Sequence, residues 1–355
     1  MELVPVVDEG LGNSSYLLDL GDGRAAVIDP ERDPRPYLER ARARGLQIAF
    51  AVETHVHADF VTSTRELAAT GAQVVAAAAA GLGFEHRGLG DGDRLALGAL
   101  SLEAVATPGH TPEAPGVAAA RRAREPGGGV QRWGAGGRRD GADRSERRRA
   151  HRAAHARGVP LAARSPAVPA RRAAGLAHPW ARVVLLDRRG RGRTSTIGAE
   201  RAGNPLLAGD PDEDELVARL LAGYGSYPAY FDRLPRYNRA GPRVLGDPPL
   251  AALDVATVAE HVHTGGQLVD ARPVAHFAAG HIPGAISNEL RAQFGTWLGW
   301  VIDPDRPVVF VVDNDQDSRD LLRQALNVGV ENIAGPSPAA SVRGGRPDTR
   351  WPRCR

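Results

Sequence analysis

The stretch Thr54-His55-Val56-His57-Ala58-Asp59 constrains this chain more than any other. Two imidazoles and a carboxylate stand at i, i+2 and i+4, directly after an apolar run at Ile48–Val52. With that run as a strand, all three side chains enter one loop at the strand's end. Neutral histidine is the commonest metal ligand, and carboxylates join it around zinc and iron. A second loop, Thr107-Pro108-Gly109-His110-Thr111-Pro112, follows another strand-like run at Leu100–Ala106. A lone histidine is usually structural. Three histidines and an aspartate in two loops after two strands point instead to a metal site of His55, His57, Asp59 and His110.

Together the two motifs resemble the metallo-β-lactamase superfamily, whose hallmark is H-x-H-x-D-H followed by a distant P-G-H-T. Leu11–Leu17 and Ala25–Pro30 are similar to its opening strands. Glu53–Asp59 and Thr107–Glu113 most resemble the persulfide dioxygenases and their rhodanese fusions, with the glyoxalase II hydrolases as the nearest relatives outside that group. The resemblance implies His55 and His110 as metal ligands. It makes His57 and Asp59 neighbouring ligands, or groups that orient the ligand imidazoles. The chain departs from the pattern at Phe60, where the family usually has histidine. In two-metal members that histidine and the aspartate serve the second metal, so Phe60 implies one metal.

A length of 355 residues suggests two domains, and 42% apolar residues suffice for globular cores. No run of eighteen apolar residues occurs, so no membrane span is expected. The opening Met1–Gly12 lacks the basic and apolar regions of a secretory signal. The one cysteine, Cys354, permits no disulfide framework, which fits a reducing cytoplasm.

The net charge of +3 hides an uneven distribution. Residues 114–193 hold 20 Arg against 5 acidic residues, while the other residues carry 25 basic against 37 acidic. A basic segment of this kind can mark a polyanion-binding insert. However, residues 114–193 lack helical or strand periodicity and are dominated by Arg, Ala, Gly and Pro, which GC-rich DNA encodes when read out of frame. The chain has no lysine, as such a genome would favour. One codon choice for Val130–Asp143, shifted by one base, reads F-S-G-G-A-L-V-V-G-G-T-G-R-T, which resembles what the family carries after P-G-H-T. We therefore read 114–193 as an out-of-frame, disordered segment and expect no nucleic-acid partner. The carboxylate that completes the family's metal site comes from this segment. Asp140 and Asp143 lie there, but nothing aligns them with it.

Beyond it, Asp212–Leu221 has acids in its first turn and apolar Leu216, Leu220 and Leu221, as an amphipathic helix should. The following residues, to 245, read as loop, and Asp247-Pro248-Pro249 as a linker. From Leu250 the pattern alternates between helix and strand: a helix at Leu253–His261, a strand at Gln267–Arg272, a buried strand at Pro307–Val312 and a helix at Ser318–Val328. Val269-Asp270-Ala271-Arg272 and Gly280-His281-Ile282-Pro283-Gly284-Ala285 resemble rhodanese domains, to about Gly335. Active rhodaneses place a nucleophilic cysteine in the loop after the strand that corresponds to Val308–Val312. That loop is here Asp313-Asn314-Asp315-Gln316-Asp317, without sulfur and with three carboxylates that repel an anionic sulfur donor. No sulfurtransferase turnover is expected from it. After Gly335 the tail turns again to Arg, Gly and Pro, consistent with a second frame slip.

The expected fold is α/β: an incomplete metallo-β-lactamase αββα sandwich over 1–245, a rhodanese-like α/β domain over 246–335, and a disordered tail over 336–355. The resemblance implies one metal ion, with iron(II) favoured and zinc the alternative. It also implies a small-molecule thiol persulfide or thioester as substrate. A homo-oligomer is compatible with the chain. Three functions stay open: an iron enzyme that oxidises a thiol persulfide with O₂, a zinc thioester hydrolase, and an inactive frameshifted product. Metal analysis with O₂ uptake separates the first two, and solubility and melting of the expressed chain test the third.

Overall fold

The computed structural model describes residues 2–98, 100–106, 115–121, 174–176, 194–196, 203–223, 228–246, 248, 250–334 and 339–343. His110 and most of 114–193 and 336–355 lie outside them.

The N-terminal domain is built on β1 (Leu3–Asp8), β2 (Asn13–Asp19), β3 (Arg24–Ile28), α1 (Arg35–Ala43), β4 (Gln47–Val52), α2 (Thr64–Ala69), β5 (Gln73–Ala77) and β6 (Arg87–Leu89). The strands form one sheet in sequence order. β1 to β3 are antiparallel, and β3 to β6 are parallel. The sheet buries both faces, which explains why its strands read as continuous apolar runs. Leu17, Val27 and Ala51 pack with Tyr37 of α1 and Leu67 of α2. Their neighbours Leu18, Ala26, Phe50 and Val52 face the other way.

There they meet Leu95, Leu97, Leu100 and Leu102 of a second, antiparallel sheet. It consists of β7 (Arg94–Leu97), β8 (Leu100–Ala106) and β9 (Pro115–Arg121) in that order. Asp91-Gly92-Asp93 reads as a hairpin turn in the sequence, yet it links β6 of one sheet to β7 of the other. The Asp93 carboxylate accepts from the Gly90 N–H at 2.7 Å and fixes this corner. A short pair, β10 (Ala174–Leu176) and β11 (Thr194–Thr196), forms a separate sheet.

Two helices follow, α3 (Glu213–Gly223) and α4 (Tyr230–Ala240). The second corrects the loop expected there. Pro235 sits inside it and reads as a helix breaker. Tertiary packing overrides that signal, because Tyr230, Leu234 and Asn238 form a buried stripe at four-residue spacing.

The C-terminal domain carries β12 (Leu250–Ala252), α5 (Val255–His263), β13 (Gln267–Asp270), α6 (Val274–Ala279), β14 (Ile286–Ser287), α7 (Phe294–Val301), β15 (Val308–Val312), α8 (Ser318–Asn327) and β16 (Ala339–Arg343). Its sheet is parallel, in the order β12-β16-β15-β13-β14. The expected strands at 267–272 and 307–312 and the helix at 318–328 are present within a residue or two. Asp254 and Asp317 cap α5 and α8, accepting from backbone N–H groups of their first turns. One apolar cluster joins the two domains: Val61, Tyr230 and Leu234 pack with Phe294, Leu298, Phe310 and Val328.

Candidate metal centre

Parallel pairing places the two key loops side by side. Ile28 lies opposite Val52, so β3 and β4 end at the same edge of the sheet. Asp29 is the next residue after β3, and Glu53, His55, His57 and Asp59 follow β4. Open α/β sheets bind ligands outside the carboxyl ends of such strands. Asp29 adopts φ 50, a left-handed conformation that aspartate tolerates better than most residues. It donates its N–H to the Val52 carbonyl at 2.8 Å, which ties the two strand ends together.

Asp29, His55 and His57 converge. One ligand atom from each lies within 4.8 Å of the others, and all three residues are buried. The rings of His55 and His57 are 4.1 Å apart, centroid to centroid. Thr54 organises this cluster. Its N–H donates to Asp29 Oδ1 at 2.7 Å and its hydroxyl to Asp29 Oδ2 at 2.8 Å, and Oγ1 lies 2.9 Å from His55 Nδ1. Each carboxylate oxygen has two lone pairs, so Asp29 can accept from Thr54 and still face a cation. Two imidazoles and a carboxylate form a donor set that fits a divalent transition metal such as iron or zinc.

His57 sits among acids. Its Nε2 is 3.2 Å from Asp29 Oδ1 and 3.4 Å from Glu53 Oε2, and its Nδ1 is 3.6 Å from Asp59 Oδ1. Burial works against a charged ring, but Asp29, Asp59 and Glu53 outweigh it and raise the His57 pKa well above its ordinary value. Burial pushes Glu53 up to about 7, with Asp29 adding to the shift and His57 opposing it. Thr62 donates its hydroxyl to Glu53. Asn238 of α4 pins the turn of the loop, donating to the carbonyls of His57 and Phe60 at 2.8 Å each. The ring of Phe60 lies against His57 at 4.1 Å with the planes tilted by 32°, and the side chain is buried. Beside the histidines lies a pocket whose far wall is apolar, formed by Ala77, Ala80, Leu82 and Phe84.

Of the four residues expected at the site, His55 and His57 come together. Asp59 adjoins the far nitrogen of His57, and His110 lies outside the described residues. Sequence reasoning gave no role to Asp29, which sits in the Ile28-Asp29-Pro30 step that ends β3. An acid directly after an apolar strand beside the histidine loop is the signal that marks it.

Comparison with known proteins agrees with this architecture. A metallo-β-lactamase from Staphylococcus aureus superposes with a TM-score of 0.72 at 21% identity, over 97% of this chain and 99% of that one. The rhodanese-like domain family matches residues 254–345. The chain has the metallo-β-lactamase fold and carries a rhodanese-like domain. The chain is 45% identical over 92 residues to a hydroxyacylglutathione hydrolase of Methylobacillus flagellatus, which covers 25% of this chain and 36% of that protein. It is 36% identical over 102 residues to the human mitochondrial persulfide dioxygenase ETHE1, over 28% of this chain and 40% of that protein. The chain thus spans less than half the length of these curated relatives.

In the rhodanese-like domain, the loop Asp313–Asp317 is filled by its own side chains. Gln316 accepts from the Asp313 N–H at 2.8 Å and donates to the Ala271 carbonyl at 2.8 Å. Asp317 occupies the N-terminus of α8, and Asp313 Oδ2 lies 2.6 Å from His276 Nδ1. The loop thus presents the Asp313 and Asp317 carboxylates, one beside His276 and one capping α8. No helix among the described residues is long and apolar enough to cross a membrane.

Proposed function

We propose that the metallo-β-lactamase domain holds a single metal ion, iron(II), and oxidises a low-molecular-weight thiol persulfide with O₂. The observation that carries this reading is the buried convergence of Asp29, His55 and His57 at the ends of β3 and β4. Two histidines and a carboxylate leave an iron ion with further coordination positions for small reactants. His55, His57 and Asp29 would hold the ion, with His110 joining them from its own loop as the resemblance implies. Thr54 orients Asp29 and His55 from behind. Asp59 faces His57 Nδ1 and selects which ring nitrogen is available for a metal. Phe60 supplies no ligand, which supports one metal rather than two. Ala77, Leu82 and Phe84 give the space beside the histidines an apolar side. The similarity to a protein named persulfide dioxygenase supports this substrate class. On this reading the partner is a small molecule, and the protein works in the cytoplasm.

A second reading, a zinc thioester hydrolase, is supported by the similarity to a hydroxyacylglutathione hydrolase. Metal analysis of the purified chain, combined with O₂ uptake on a thiol persulfide and thioester cleavage, separates the two. Iron near one equivalent with persulfide-dependent O₂ uptake is the expected result. Zinc with thioester cleavage and no O₂ uptake would replace the first reading by the second.

A further inference from the structure

The loops that carry the candidate ligands are braced from the other domain as well as from their own. From the last residue of α8 in the rhodanese-like domain, Asn327-Val328-Gly329-Val330-Glu331 runs against the N-terminal domain. Asn327 is 1% exposed. Its Oδ1 accepts from the Arg32 N–H at 3.2 Å, and its Nδ2 lies 3.3 Å from both Asp8 Oδ2 and Glu31 Oε2. Its backbone carbonyl accepts from the Val61 N–H at 2.7 Å. Arg32 follows Asp29 by three residues, and Val61 follows Asp59 by two. One residue of the second domain thereby grips the β3 loop and the β4 loop together. Glu331 reinforces the first grip by pairing with Arg32 at 2.8 Å and accepting from the Tyr237 hydroxyl at 2.6 Å.

Adhesion alone does not account for this arrangement. Val61, Tyr230, Leu234, Leu298 and Val328 already supply an apolar contact between the domains. Burying an amide adds nothing to adhesion unless its partners are placed to receive it. Besides Asp8 of β1, the partners are Glu31 and the backbones of Arg32 and Val61, in the two loops whose spacing sets the distance from Asp29 to the histidines.

We propose that Asn327 is a positioning residue of the metal centre. Through it the rhodanese-like domain, which lacks a sulfur nucleophile, fixes the Asp29–Arg32 loop against the Glu53–Val61 loop. This inference rests on the metal-centre reading above. Its mechanism is that of groups which touch no ligand atom yet orient those that do, whose loss typically weakens metal binding by about 10–100-fold.

Cobalt(II) titration of the full-length, metal-stripped chain tests it, read by the visible d–d spectrum and the dissociation constant. Asn327→Ala is expected to weaken cobalt binding by about tenfold and to shift the spectrum. Asn327→Ser, which keeps a small donor and acceptor, should fall between Ala and the unmodified protein and serves if the Ala variant does not fold. Val309→Ala cuts into the opposite face of the rhodanese-like sheet, where Val309 packs with Val258, Leu268 and Ile282. It should melt earlier with the cobalt spectrum and affinity unchanged. If Asn327→Ala or Asn327→Ser binds cobalt with the unmodified spectrum and affinity, the positioning role is overturned while the metal centre stands. A shift in Val309→Ala as large as in Asn327→Ala would also overturn it, by making general destabilisation the cause. An unmodified chain that binds no cobalt would remove the metal centre and this inference together.

Discussion

At the scale of single residues, Asp29 and Glu31 have different tasks although they stand two positions apart. Asp29 is bonded through both oxygens to Thr54, so its charge is aimed at the histidines. Asp29→Ala removes one member of the donor set and releases Thr54. Metal content of the purified variant, measured by elemental analysis, should fall well below that of the parent chain, and His55→Ala should do the same. Glu31 instead faces Asp8 and the second domain, and burial pushes its pKa from 4.5 to about 8, with Asp8 adding to the shift. The sign follows from proton linkage. The folded chain keeps a proton on Glu31 that the unfolded chain releases near pH 4.5, so this group makes stability fall as pH rises from about 4.5 to about 8. Glu31→Gln keeps an acceptor for Asn327 and removes the titration. In thermal melts of the metal-free protein, the variant should match its parent near pH 4.5 and melt higher near pH 8. Equal melting differences at both pH values would contradict the assignment.

At the scale of elements, α4 is the piece on which both domains lean. Leu234 is fully buried between Val61 and the core of the rhodanese-like domain, and Asn238 on the same stripe pins the His57 turn. Leu234→Ala leaves a cavity at this junction and should cost about 2–5 kcal/mol in urea unfolding. This helix was also the least legible element in the sequence. Pro235 and the polar residues around it hide a stripe that makes sense only once its partners are known. The strands were legible because both faces of each are covered, which leaves runs such as Ile48–Val52 and Val308–Val312 uninterrupted by polar residues. Within the site, His55 and His57 were visible from local spacing alone. Asp29 was not, since 25 residues separate it from Thr54 and only the parallel register of β3 and β4 brings the two into contact. Of the acids around His57, Asp59 was equally visible in the local spacing, and Glu53 stands only four residues before the ring.

At the scale of the whole molecule, the two domains share a buried ionic contact as well as an apolar one. The Arg32 side chain is 1% exposed and lies between Glu66 of its own domain at 3.4 Å and Glu331 of the other at 2.8 Å. Glu66 also accepts from the Leu245 N–H at 2.6 Å, where the chain leaves the N-terminal domain. A buried ion pair adds little net stability over an apolar replacement, but removing one partner leaves the other charge stranded at a cost of about 3–5 kcal/mol. Arg32→Ala takes the buried cation from Glu66 and leaves Glu331 with only the exposed Arg243 at 3.3 Å, so it weakens the contact in both domains. Because the apolar cluster of Val61, Leu234, Leu298 and Val328 is continuous across the boundary, this loss should not stay local. Native-state hydrogen exchange can follow strand amides on both sides, Val27 and Val52 in the first domain and Val269 and Val311 in the second. In Arg32→Ala the protection of all four should drop by a common factor, as it does when distant segments open in one cooperative unit. A drop confined to Val27 and Val52 would mean that the domains unfold separately and that the contact at Arg32 serves only the one that contains it.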